Sequence, residues 1–199
     1  MITVTADHLN ALARAAAKRP GNNAVVAGIV ANAKLLSDAG ISTTDRLSGF
    51  FAQACVETDY FATLEEYGGT AYFTKMYDKN GDARGKERAK NLGNTEAGDG
   101  ARFHGRGIFQ LTGRYNYTVF GKRLGIDLVK NPELAADPKV SVQLALLYWS
   151  DRNLSALADQ KMFIAIGRAI NRGNASSKNA ANHEAERIRC TELGLKLFA

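Results

Sequence analysis

The sequence predicts a mainly α-helical protein, and three observations support this fold class. Apolar residues recur at three- and four-residue intervals along most of the chain, whereas the alternation typical of strands is scarce. Proline occurs only three times in 199 residues, so few segments are barred from helix. Hydrophobic residues make up 45% of the chain, which is enough for one packed core. We therefore expect a single domain over residues 1–199, with a small sub-lobe around residues 70–100.

The helices can be placed in order from their apolar spacing and their turn residues. Pro20 and Gly21 stop the first helix, and Gly40 ends the second. Thr43 or Thr44 can cap the third, which is expected to run to about residue 59. The polar, glycine-rich segment 78–100 predicts a loop or a short, weakly helical sub-lobe. The full set of helices is predicted over residues 5–19, 23–39, 44–59, 112–124, 138–152, 159–171 and 178–198.

The charge pattern restricts the partners of the chain. A net charge of +6 favours a polyanion such as nucleic acid, anionic lipid or an acidic cell-wall polymer. The basic residues are scattered, so we expect no nucleic-acid partner. The first residues lack a basic segment followed by an apolar one, and no stretch reaches the roughly 20 apolar residues of a membrane span. The sequence therefore predicts synthesis as a soluble cytoplasmic chain, without a signal peptide and without stable membrane insertion.

Metal and redox sites are not expected. Cys55 lies in an apolar helical segment, which predicts a buried free thiol, and a contact with Cys190 stays an open question. Residues 78–85, DKNGDARG, space oxygen ligands as a calcium loop does. Their glycine is at the fourth position rather than the sixth, and the twelfth residue is Ala89 rather than glutamate. We therefore expect no metal and no cofactor.

The carboxylate of Glu57 is the first candidate catalytic group. Helical spacing places it on one face with Phe50, Ala54 and Phe61. Desolvation on such a face favours the protonated carboxyl, which is the form that a general acid needs. The alternative interpretation is a structural salt bridge with one of the many arginines.

A second carboxylate, Glu66, follows nine residues later and outside the helix register. It can therefore face Glu57 across a cleft. Two carboxylates in different environments are the usual equipment for cleaving a glycosidic bond. The alternatives are that Glu66 is a solvated surface charge, or that the adjacent Glu65 takes its place.

The stretch 98–117, GDGARFHGRGIFQLTGRYNY, combines glycines, arginines, amides and aromatic rings. Glycines allow close backbone approach, amides and hydroxyls form directed hydrogen bonds, and rings stack on sugars. This mixture suits a sugar polymer. A glycine-rich loop with core aromatics is the alternative.

These segments resemble glycoside hydrolase family 19, the chitinase-like enzymes, and most closely its bacteriophage endolysin branch. The resemblance covers residues 50–72 and 93–149 in the family's order, with a weaker match at 167–173. It is carried by FFAQACVETDYF, LGNTEAGDGARFHGRGIFQLTGRYNY, LGIDLVKNPELAADP and GRAINRG. The family implies a lysozyme-like, chitinase-like bilobed helical fold with a central substrate cleft.

The resemblance also implies roles for individual residues. The family's general acid falls on Glu57, its general base on Glu66, and the hydroxyl that holds the attacking water on Thr112. The family is inverting, so its two carboxyl groups are expected about 6.5–9.5 Å apart. Its sugar-binding and supporting positions fall on Gln110, Tyr115, Asn116, Asn171 and Arg168.

The sequence departs from the family at two places near these positions. Val56 replaces the histidine that often precedes the acid, which predicts a drier environment for Glu57. Arg172 replaces the first glycine of an Asn-Gly-Gly motif, which puts the close approach of that wall to the sugar in doubt.

The resemblance leads to a functional prediction. We expect a monomeric endolysin that hydrolyses β-1,4 bonds of bacterial peptidoglycan, with no separate wall-binding domain. It would wait in the host cytoplasm until a holin releases it to the cell wall in the periplasm. The alternatives are a chitinase acting on N-acetylglucosamine polymers and a non-catalytic glycan-binding virion protein. The motifs do not select which of the two alternating peptidoglycan linkages is cut.

Overall fold

The computed structural model describes residues 2–199 and consists of helices joined by short connections. Within these residues, β-pairing is limited to isolated bridges of Arg106 with Glu65 and with Leu111. The predicted mainly α fold class is therefore confirmed. A 3-10 helix covers Pro132–Ala136. The α-helices are α1 (Ala6–Ala17), α2 (Asn23–Ala31), α3 (Lys34–Asp38), α4 (Thr44–Glu57), α5 (Thr70–Tyr77), α6 (Ala83–Leu92), α7 (Asp99–Arg102), α8 (Arg114–Leu124), α9 (Pro138–Asp151), α10 (Leu154–Asp159), α11 (Phe163–Arg172) and α12 (Glu184–Leu197).

The chain divides into two compact units. Unit 1 comprises the residues up to Thr63 together with Ala145–Ala199, and unit 2 comprises Leu64–Leu144. The sub-lobe predicted around residues 70–100 falls inside unit 2. In the described part of the chain, every helix is too short or too polar to cross a membrane.

Unit 1 is organised around the contact between α4 and α12, which is supported by α1, α10 and α11. Aromatic rings fill its centre. Phe50 lies 5.3 Å from Phe51, edge to face, and 5.4 Å from Trp149. The helices approach closely at Gly194, where a Cβ atom would lie 3.1 Å from Ser48. Glu57 is the last residue of α4, the helix of this unit with the most buried residues.

Both cysteines lie in this core. Cys55 on α4 and Cys190 on α12 are fully buried, and they do not form a disulfide. The neighbouring Cys190 thiol and burial both raise the pKa of Cys55. The predicted buried free thiol is confirmed, and the two cysteines do meet.

The predicted second helix is interrupted. Residues 23–39 form α2 and α3 rather than one helix. At the break, the Asn32 side chain donates a 2.8 Å hydrogen bond to the carbonyl of Gly28. Asparagine competes in this way with the backbone bonds of a helix.

The third helix begins as predicted but ends earlier. Thr43 caps α4 by accepting a bond from the amide of Arg46. Residues 59–61 then take left-handed backbone angles, with φ values between 48° and 62°. Phe61 is therefore not on the helix, and the predicted face shared with Glu57 lacks it.

Unit 2 contains α5 to α8, and a buried carboxylate links the end of α5 to the start of α7. Asp78 accepts hydrogen bonds from the backbone amides of Asn80, Gly98 and Gly100. Asp82 caps α6 by accepting a 2.8 Å bond from the amide of Gly85. The acidic residues of segment 78–85 thus organise the turn into α6, which is a regular helix of ten residues.

Candidate active site

Glu57 is the last residue of α4 in unit 1, and it faces a guanidinium. Arg187 on α12 donates from Nη2 to Glu57 Oε1 at 2.5 Å. The predicted apolar face is only partly formed, because Phe61 lies off the helix and a cation lies beside the carboxylate. The alternative interpretation, a salt bridge with an arginine, describes the contact that forms.

Arg187 is itself held rigidly. Its side chain is 4% exposed. Nη1 donates to Gln53 Oε1 at 2.6 Å, and Nε donates to the carbonyl of Asn182 at 2.9 Å. Gln53 lies one turn before Glu57 on α4. Because α4 and α12 present these groups from their packed faces, the position of the Glu57 carboxylate is set by the core of unit 1.

Two further predicted residues lie in unit 1. The Arg168 guanidinium pairs with Glu184 at 3.1 Å and donates to the carbonyl of Ser177. Asn171 accepts a bond from the amide of Asn182 at 2.8 Å. Both residues tie α11 to the segment that leads into α12. This confirms neither as a sugar ligand, and both stay predictions in that role.

In unit 2, residues 64–66 pair antiparallel with residues 105–107, and Glu65 and Glu66 both lie in this short contact. The amide of Glu66 donates to the carbonyl of Gly105 at 2.9 Å, and the amide of Gly107 donates to the carbonyl of Leu64 at 2.7 Å. Successive side chains in extended backbone point to opposite faces. The two adjacent carboxylates therefore meet different partners.

Glu66 is held by neutral donors. The Tyr77 hydroxyl donates to Oε1 at 2.9 Å, and the amide of Gly105 donates to Oε2 at 3.0 Å. Burial and the neighbouring Glu66 charge raise the pKa of Tyr77, so this phenol stays a donor. A Cβ atom on residue 105 would lie 2.6 Å from the side-chain oxygen of Gln110. Glycine at this position leaves room for the Gln110 side chain.

Glu65, by contrast, is held by a histidine and an arginine. Its Oε1 lies 2.9 Å from His104 Nε2 and accepts a 3.0 Å bond from Arg106 Nε. Burial opposes ionisation, but the bonds and charges of His104 and Arg106 lower the pKa of Glu65 below its ordinary value. Arg106 also donates to Tyr117, whose own pKa is raised to about 12, chiefly by burial. Glu65 thus belongs to a structural network.

The remaining predicted residues of unit 2 lie in or next to the glycine-rich loop, where their side chains donate hydrogen bonds to nearby backbone carbonyls. Gln110 adopts a left-handed φ of 51° and donates to the carbonyl of Gly107 at 2.9 Å. The Thr112 hydroxyl donates to the carbonyl of Gln110, and Asn116 donates to the carbonyl of Thr112. Tyr115 is 63% exposed, so its ring faces outward. Unit 2 therefore contains five of the predicted site residues: Glu66, Gln110, Thr112, Tyr115 and Asn116.

Sequence reasoning missed the partners of the carboxylates. Arg187 lies 130 positions from Glu57, and no local pattern connects them. Tyr77 lies eleven positions after Glu66, at the end of α5. In the loop, Arg106 and Arg114 pair with carboxylates. Arg102 instead donates to the carbonyl of Val129.

The site offers no evident metal centre. Within residues 2–199, no cluster of three or more histidine, cysteine, aspartate or glutamate side chains is placed to hold a metal ion.

Comparisons with known proteins identify relatives of this chain. An endochitinase of Arabidopsis thaliana is 30% identical over 164 residues, which cover 80% of this chain and 56% of the relative. The chain thus spans about half the length of these curated relatives. The fold matches chitinase C of Streptomyces griseus with a TM-score of 0.71 and 20% identity, over 99% of this chain and 93% of that one.

A second solved structure supports the same fold. The class IV chitinase of Zea mays gives a TM-score of 0.67 at 20% identity, and covers 98% of this chain and 92% of its own. The sequence profile described as chitinase class I matches residues 10–183, which is most of the chain. The protein therefore belongs to glycoside hydrolase family 19, the class I chitinase family.

Proposed function

We propose that this chain hydrolyses β-1,4 glycosidic bonds in polymers that contain N-acetylglucosamine, by an inverting general acid/base mechanism. The observation that carries the proposal is the contrast between adjacent carboxylates. Glu65 is bound by His104 and Arg106, whereas Glu66 is held by the Tyr77 hydroxyl and the Gly105 amide. In the described residues no cation pairs with Glu66, so its carboxylate can accept a proton from water.

Glu57 supplies the proton to the leaving oxygen in this proposal. Arg187 then stabilises the carboxylate that remains, because its guanidinium already lies against Oε1. Positioned acid or base groups of this kind typically contribute about 10²–10⁴-fold to the rate. The fixed geometry of Arg187 keeps the acid in one orientation.

Thr112 is proposed to help place the attacking water. Its hydroxyl proton is directed at the carbonyl of Gln110, so the lone pairs of its oxygen can accept a hydrogen bond from that water. Tyr115 offers an exposed ring for a sugar face. Gln110, Asn116, Asn171 and Arg168 complete the proposed sugar-binding set.

Chitin is the substrate that the relatives favour, since the related proteins are named endochitinases and chitinases. Peptidoglycan is a second candidate, and a separate observation favours it. The exposed surface of α6 carries four basic residues, Arg84, Lys86, Arg88 and Lys90, and one acidic residue, Glu87. Chitin is uncharged, whereas the peptide stems of peptidoglycan carry carboxylates that such a face attracts.

Action on peptidoglycan would fit the role of a bacteriophage endolysin. In that role the enzyme is a monomer held in the host cytoplasm, and a holin releases it to the wall. The net charge of +6 supports adhesion to an anionic wall.

The test compares both polymers directly. Purified chain is incubated with chitin oligosaccharides and with purified Gram-negative sacculi, and new reducing ends are counted. Glu57→Gln and Glu66→Gln serve as inactive controls that keep the shape of the side chain. Cleavage with first formation of the α-anomer supports the proposal. If the wild-type chain leaves both polymers intact, the proposed activity is wrong.

The same digests decide the substrate and the linkage. Release of fragments from sacculi but not from chitin would establish an endolysin-type enzyme, and the reverse would establish a chitinase. Mass spectrometry of the new reducing-end sugar would identify the bond that is cut.

A further inference from the structure

The end of α9 in unit 1 carries a guanidinium stacked on an aromatic ring. The Arg152 Cζ atom lies 3.6 Å from the centroid of the Tyr148 ring. The four-residue spacing places the two side chains on one side of the helix. Arg152 is exposed and Tyr148 is half-buried. Within residues 2–199 Arg152 forms no ion pair, so the ring covers one face of a cation whose charge stays unpaired.

Tyr148 is anchored next to predicted site residues of the same unit. Its hydroxyl donates to the carbonyl of Ala169 at 3.2 Å, near the end of α11. Asn171, a predicted sugar ligand, lies two positions further along this helix. Burial raises the pKa of Tyr148; the Arg152 cation opposes this rise, and the Glu57 carboxylate adds to it. Arg152 and Glu57 are therefore both close enough to act on one phenol.

A guanidinium held in this way can bind a carboxylate. Its N–H donors lie in the plane of the group, so a ring against one face leaves the donors at the edge open. Two parallel N–H donors match the two oxygens of a carboxylate. Stacking restricts the side chain before a ligand arrives, so binding costs less rotamer freedom. The hydroxyl and acetamide groups of chitin carry no charge, and they gain much less from such a contact.

We propose that Arg152, oriented by Tyr148, binds a carboxylate of the glycan and makes the enzyme selective for anionic N-acetylated glycans such as peptidoglycan. This inference rests on the proposed function, because it names the class of glycan that the enzyme prefers. The carboxylate belongs to the peptide stem, or to the lactyl group of muramic acid where the stem has been removed. Arg152 contacts a substituent of the sugar rather than the bond that is cut, so it determines specificity.

Binding of matched glycans tests this assignment. The main probes are a peptidoglycan tetrasaccharide with its peptide stems and the same tetrasaccharide after its carboxylates are converted to amides. Chitotetraose serves as the neutral glycan without stems. Dissociation constants are measured by titration calorimetry in a Glu66→Gln background, in which the proposed base is absent and the sugar chain stays intact. The selectivity is the dissociation constant of the amidated form divided by that of the charged form.

Variants made in this background should change the selectivity in different ways. Arg152→Gln should lower it about three- to tenfold, as expected for one charged contact at a partly exposed site. Arg152→Lys keeps the charge without the planar fork, so an intermediate value is expected. Tyr148→Leu should also lower the selectivity, because the guanidinium loses its stack. Arg14→Gln is the matched control, since it removes an equal charge from an exposed position on α1 and should preserve the selectivity.

A further probe identifies the source of the carboxylate. An amidase removes the stems and frees the lactyl carboxylate, so tighter binding of the stem-bearing form supports a contact with the stem, and tighter binding of the treated form supports a contact with the lactyl group.

The inference and the proposed activity can fail separately. Equal affinity for the charged and amidated forms overturns the inference, as does selectivity that survives Arg152→Gln in full or falls equally in Arg14→Gln. Absence of binding to every glycan also overturns it. Hydrolysis is measured separately on the wild-type chain. If that chain cleaves glycans without this selectivity, the proposed activity stands alone. If Arg152 confers the selectivity but no glycan is cleaved, the contact stands and the proposed activity fails.

Discussion

Replacing Arg187 by methionine should destabilise unit 1 strongly. Methionine fills a similar volume but leaves Glu57 Oε1, Gln53 Oε1 and the carbonyl of Asn182 without their donor. Removing one partner of a buried ion pair typically costs about 3–5 kcal/mol. The Glu57 side chain is 16% exposed and can regain some hydration, which places the expected loss near the lower value, at about 3 kcal/mol.

This loss should be visible in thermal and urea unfolding followed by circular dichroism at pH 7. For a chain of this size each kcal/mol lowers the Tm by about 2–4 °C, so Arg187→Met should unfold about 6–12 °C earlier. Arg189→Met is the matched control, because Arg189 is on the same helix, is 55% exposed and pairs with Glu186 at 3.5 Å. Its expected effect is below about 0.5 kcal/mol. Equal stability of the two variants would refute the reasoning.

Three further predictions concern unit 2. Glu66→Gln should lower kcat about 10²–10⁴-fold with little change in Tm. Glu65→Gln should lower the Tm and have a much smaller effect on kcat at pH 6. The reverse pattern would assign the base to Glu65. Asp99 is buried, which opposes ionisation, yet its bonds from Arg114 lower its pKa. Its contribution to stability is therefore present at neutral pH and lost as the pH falls, so urea unfolding should show a larger loss for Asp99→Asn at pH 7 than at pH 3. Gly85→Ala should lower the free energy of unfolding in urea by about 1–3 kcal/mol, because its Cβ would lie 2.0 Å from the carbonyl oxygen of Lys75. Gly69→Ala, with nothing within 4 Å, should be near neutral, and equal effects would exclude the steric explanation.

Much of the fold could be predicted because helical periodicity is a local property of the sequence. The third helix begins where Thr43 caps it, as expected. Its end could not be placed, because Thr58 donates to the carbonyl of Ala54 and accepts from the amide of Phe61, and the chain then turns through left-handed angles. Apolar spacing carries no information about such a turn. The break at Asn32 was missed for the same reason.

The candidate site was predictable in its residue types but not in its electrostatics. Glu57 could be singled out as a carboxylate on a partly apolar helix, and that reasoning suggested an environment without charge. The charge comes from Arg187, which tertiary packing brings from a distant part of the chain. A sequence with many arginines gives no means of choosing the one that will pair.

Glu65 and Glu66 show why the neighbourhood of a residue in sequence does not decide its chemistry. The two side chains have the same covalent structure and adjacent positions, so composition and spacing treat them alike. Their backbone pairing with residues 105–107 sends one toward Arg106 and His104 and the other toward Tyr77 and Gly105. Oε1 of Glu65 is occupied by Arg106 and His104, whereas Glu66 is held by neutral donors and can exchange a proton with a nearby group. The assignment of the base therefore depends on which face each residue occupies, and a shift of one residue in this pairing would exchange the two roles.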